Sequence, residues 1–160
     1  MSHLHCVMAG RQQALLHEWK RLMAQGLDAD RGRRPAQARA LYLRAQKIAY
    51  VLLAGPGGEV MDDDRVAAFV VTHLNLADAL VDDGRSGEAA ACLCAAHRTL
   101  MSLMCDETAS ASLRMAAGRH SRETHAALIL HRSEYGDRPE IMAVLGNEGM
   151  LPAAAGACLH

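Results

Sequence analysis

Residues 73–96, HLNLADALVDDGRSGEAAACLCAA, decide the fold. Leu76, Ala77 and Leu80 recur at the spacing of one helix face, and Gly84 breaks the run. Ala89, Leu93 and Ala96 then resume it in steps of four and three. Side chains at such steps stack on one side of a helix, and alanines among them let two helix axes approach closely. The segment therefore predicts two antiparallel helices joined by a glycine turn. An earlier stretch repeats the second half of the pattern at Ala38, Tyr42 and Ala45, 51 positions before Ala89, Leu93 and Ala96.

Composition carries the same reading to the rest of the chain. About half of the 160 residues are apolar but only 3% are aromatic. A core rich in alanine and leucine favours helices. The one β-branched cluster, residues 66–72, contains Ala67 and Ala68 and keeps helical spacing. The expected class is all-α, with five to six helices. A first helix is expected over residues 5–25 with Gly26 as its stop, and a loop over 27–34. Pro35 suits the first turn of a second helix, which ends at Gly55-Pro56-Gly57-Gly58. A third spans residues 63–83. Asp62, Asp63 and Asp64 at its start supply negative charge and a capping oxygen. A fourth spans 86–104, and residues 107–135 form one long helix or two nearly continuous ones. A short helix over 140–145 completes a single domain over residues 1–146. Residues 147–160, rich in Ala and Gly, are expected to form a disordered tail.

Net charge is close to zero, with 17 basic and 18 acidic residues dispersed along the chain. No basic stripe of the kind a phosphate backbone requires is present, so nucleic acid is not an expected partner. No apolar run is long enough for a membrane span, and no secretory signal is visible. Five cysteines without paired spacing suit free thiols in a cytoplasmic protein. The Gly55 to Gly58 run lacks the lysine and hydroxyl ending of a phosphate loop, and no nucleophile motif occurs. No enzymatic activity and no cofactor are expected.

The residues His73, Leu76, Ala77, Leu80, Gly84, Ala89, Leu93 and Ala96 resemble a tetratricopeptide repeat. A second copy is similar over Trp19, Leu22, Met23, Gly26, Ala38, Tyr42 and Ala45. Half of a third occurs in Leu113, Ala116, Ala117 and His120. The two second-helix boxes lie further apart than the period of about 34 residues typical of such arrays. Long helices and the Gly55 to Met61 linker account for the excess. The resemblance implies antiparallel hairpins stacked as a right-handed superhelix whose first helices line a concave groove. It further implies an adaptor or chaperone-like module holding a protein or peptide, with a homodimer also compatible. Lys20, Asn75, Asp78 and Asp82 are the groove residues expected to contact such a partner. Some members grip a C-terminal carboxylate, but only Lys20 and Asn75 match that clamp. The alternative is a metal-binding helical protein built on His73, Cys94, His97 and His120. Cys94 and His97 share a helix face, and imidazole and thiolate are the usual ligands of zinc. A hydrogen-bonded histidine network, with Ser121, Thr124 or Asn75 as partners, explains the same histidines as packing elements.

Overall fold

The computed structural model describes residues 2–147, with side chains over 10–146. Six helices follow in order: α1 (Ser2–Arg31), α2 (Pro35–Ala54), α3 (Asp62–Asp82), α4 (Ser86–Met104), α5 (Ala111–Tyr135) and α6 (Pro139–Asn147). No strand occurs among the described residues, so the chain is all-α. The tail expected from residue 147 begins later, since α6 takes in Asn147, and residues 148–160 lie outside the described residues. Residues 107–135 contain one helix, α5, which runs through Gly118 without a break.

Two of the turns share one device. At the end of α3, Arg85 N–H reaches the Leu80 carbonyl at 2.7 Å and Gly84 N–H the Val81 carbonyl at 2.9 Å. Gly84 itself sits at φ +75°. This double bond closes a helix through a residue in the left-handed region, where a missing Cβ removes the steric penalty. The end of α1 has the same pair of bonds, Arg34 to Ala29 and Arg33 to Asp30, both at 2.9 Å. Here the left-handed residue is Arg33, at φ +55°.

That turn corrects two expectations. Gly26 does not stop α1; the helix continues to Arg31, and most of the supposed 27–34 loop is helical. Gly26 is needed for space instead, because a Cβ there would overlap the ring of Tyr42 on α2. Tyr42 is fully buried and its hydroxyl donates to Asp30 at 2.6 Å, which fastens the last turn of α1 to α2.

The linker between α2 and α3 is held by an arginine. Arg65, 2% exposed, donates to the carbonyls of Leu52, Leu53 and Gly55 and to the Asp62 carboxylate. The terminal carbonyls of α2, which have no intrahelical partner, are thus satisfied from the first turn of α3. Gln12 of α1 donates to the Pro56 carbonyl and Gln13 to that of Glu59, tying the linker to a third helix. The acidic triplet does not cap α3. Met61 is the N-cap residue and no side chain bonds there. Asp62 accepts from Arg65 and from Ser110, and Asp63 accepts from Arg119 of α5. The three carboxylates still lie in the first helical turn, where the positive end of the helix dipole favours them.

Each helix packs on its predecessor, and α3 also packs along α5. The core forms two clusters. One gathers Leu22, Tyr42, Leu76, Leu80, Leu93, Leu128 and Ile141; the other gathers Ala49, Phe69, Val70, Ala96, Leu100 and Leu113. Ala38, Ala45, Ala89 and Ala96 are fully buried, as a close approach of helix axes requires.

Candidate functional site

Thr72, Thr124 and His73 are polar side chains buried in the core. Each does two jobs. Thr72 donates to the Ala68 carbonyl of its own helix at 2.6 Å, and its oxygen accepts the Trp19 indole N–H at 2.8 Å. Thr124 donates to the Ser121 carbonyl at 3.0 Å and accepts from His97 Nδ1 at 2.7 Å. His73 Nδ1–H donates to the Phe69 carbonyl at 2.7 Å, which leaves Nε2 to accept from the Gln46 amide at 3.1 Å. Burial holds the His73 imidazole below its usual range, so the ring is neutral and fits this arrangement. One bond of each pair crosses between helices, α3 to α1, α5 to α4 and α3 to α2, and these bonds fix how the helices are rotated against one another.

Of the histidines of the metal alternative, His73 and His97 are buried in the core and His120 is not. His73 faces Tyr50 and Phe69, with ring centroids at 5.5 and 4.2 Å. His97 faces α5 through Thr124. His120 is not in the core; it lies between Asp63, at 3.2 Å, and Glu123, at 2.7 Å. Cys94 is buried, and desolvation raises its pKa. Among the described residues no group of three or more His, Cys, Asp or Glu is placed to hold a metal ion. Burial pushes the Cys92 thiol up to about 12, and its S–H points at the His73 carbonyl. The expected partner Thr124 for His97 is present. The His73 partner, Gln46, comes from α2 and carries no periodic signal in the sequence.

An open groove of about 510 Å³ lies between α3 and α5, floored by Leu93 of α4. Leu74, Ala77, Asp78, Val81 and Asp82 form one wall, and Ala127, Leu130, His131, Glu134 and Tyr135 form the other. Both walls step by three and four residues, so each is a single helix stripe. The reason α5 leaves such a stripe uncovered is visible in its burial. Only six of its 25 residues are buried, against eleven of 21 in α3. Leu130 is 57% and Tyr135 43% exposed, so apolar surface rims the opening.

Of the expected contact residues, Asp78 and Asp82 line this groove. Lys20 and Asn75 do not: Lys20 is exposed on α1, and Asn75 is half-buried one turn before Asp78. A carboxylate clamp therefore has no counterpart here, because the groove holds carboxylates itself. The first helix of each hairpin was expected to line a groove, but the residues of the α5 wall were not singled out. Their signal was the spacing of Ala127, Leu130, His131 and Glu134, which matches that of Leu74, Ala77, Asp78 and Val81.

A family model described as a protein of unknown function (DUF2753) matches residues 17–151, and the chain belongs to that family. No curated protein and no solved structure matches the chain. No described helix is long and apolar enough to cross a membrane.

Proposed function

We propose that this member of the family is a helical-repeat adaptor, similar to tetratricopeptide-repeat modules, that holds a segment of another protein in the groove between α3 and α5. The observation that carries the reading is the groove itself: two parallel stripes of apolar and acidic side chains, open to solvent, on helices whose backbone groups are already paired. Recognition there rests on side chains, as in other helix-lined grooves. Two further features support a binding module over an enzyme. Thr72, His73 and Thr124 are paired for packing, and the thiols of Cys92 and Cys94 are raised away from the reactive range. The free thiols of Cys92, Cys94 and Cys105 suit a reducing cytoplasm.

Selection of ligands from a displayed peptide library tests the reading. Peptides recovered on the native chain should lose binding to the Leu130→Ser, Tyr135→Ser double variant. Both side chains are exposed, so their truncation leaves the fold intact. Peptides that bind the variant as well as the native chain would move the binding surface elsewhere.

A further inference from the structure

We propose that the occupant of the α3–α5 groove is a cationic amphipathic segment of a partner protein, with Lys or Arg side chains set between apolar ones. The inference rests on the peptide-docking reading above and gives it a chemical class.

Charge complementarity carries it. Asp78, Asp82 and Glu134 face the groove, and among the described residues none of them has an ion-pair or hydrogen-bond partner. The contrast with the next residue is direct. Asp83 turns away from the groove and meets both Arg39 and Arg85 at 3.1 Å. The chain thus neutralises the carboxylate outside the groove and leaves those inside it bare. Asp78 reports the result. Loss of hydration in the concavity, then repulsion from Asp82, Asp30 and Glu134, hold its carboxyl above the ordinary range.

No basic group of the groove offsets this. His131 is 5% exposed, and burial, then the nearby Arg138, keep its imidazole below the usual range. Its Nε2 is buried without a hydrogen-bond partner within the described residues. The chain's own C-terminal segment is a poor candidate, since residues 148–160 hold a glutamate and no Lys or Arg. A bare cation is also a poor fit, because the carboxylates are not placed to converge on one ion. A long side chain with an apolar stem and a charged head matches both the exposed Leu130 and Tyr135 and the acids behind them.

Three synthetic peptides of one leucine pattern, with polar positions filled by lysine, glutamine or glutamate, test this on the full chain. Fluorescence anisotropy gives the affinities, and amide shifts at Leu74, Leu130 and Tyr135 give the location. The lysine peptide should bind at least about tenfold more tightly than the glutamine peptide. That preference should shrink as salt is raised. The Asp82→Asn, Glu134→Gln variant, altered only at exposed positions, should lose the preference and keep the glutamine peptide's affinity. Equal binding of lysine and glutamine peptides in the groove would overturn the cationic occupant while leaving peptide docking in place. Shifts confined to other residues, or no binding by any of the three, would overturn both.

Discussion

At the scale of single residues, two positions in the α1–α2 corner hold the wrong and the right side chain for their backbone. Arg33 occupies the left-handed conformation that Gly84 occupies in the matching turn. A residue with a Cβ is disfavoured there by roughly 1–2 kcal/mol. Glycine gives back part of that gain through the freedom of its unfolded chain. Arg33→Gly is therefore expected to stabilise by about 0.5–1 kcal/mol, read as a small rise in melting temperature. Gly26→Ala should go the other way. The added methyl would overlap the Tyr42 ring, which is fully buried and bonded to Asp30. Overpacking of this kind costs about 1–3 kcal/mol, which outweighs the better helix propensity of alanine. A melting temperature for Gly26→Ala equal to that of the native chain would refute the packing described for this corner.

At the scale of elements, the Arg65 guanidinium joins the end of α2 to the start of α3. Arg65→Met leaves three main-chain carbonyls without a donor and should cost about 3 kcal/mol, seen as a lower urea midpoint. The histidines add a pH dependence. His73 is buried and neutral, with its pKa below the ordinary 6.5. The unfolded chain thus binds a proton that the folded chain refuses. Stability is full above about pH 6.5 and is lost as pH falls through the lowered folded-state value. His131 acts in the same sense. Urea midpoints should fall between about pH 7.5 and 5.5, and His73→Gln should flatten part of that fall. The elements themselves were largely legible in the sequence, since alanine and leucine at steps of three and four mark α2, α3 and α4. The end of α1 was not. A glycine that makes room for a ring and one that ends a helix look alike until the ring's position is known. The capping role expected of Asp62 to Asp64 failed for a similar reason, because Arg65, Ser110 and Arg119 lie across the fold or beside them and claim their oxygens.

At the scale of the whole molecule, the packing of α3 beside α5 leaves a groove between them, floored by α4. Half of this site was legible: Asp78 and Asp82 share a stripe on a helix whose other side is plainly core. The opposite wall was not, because a stripe on α5 becomes a wall only once its distance from α3 is known. The layout has one more consequence, and it concerns the order in which the structure comes apart. α3 touches α2, α4 and α5 along its length and reaches α1 through Thr72, which meets Trp19 and Met23. Opening α3 to solvent therefore means separating nearly every other helix, whereas α6 rests on α4 and α5 alone. Amide hydrogens in the middle of α3 should exchange with deuterium only through global unfolding. Those of α6 should exchange through smaller local openings, orders of magnitude faster. The slowest clock is thus carried by the helix with the most neighbours, and it can be timed amide by amide.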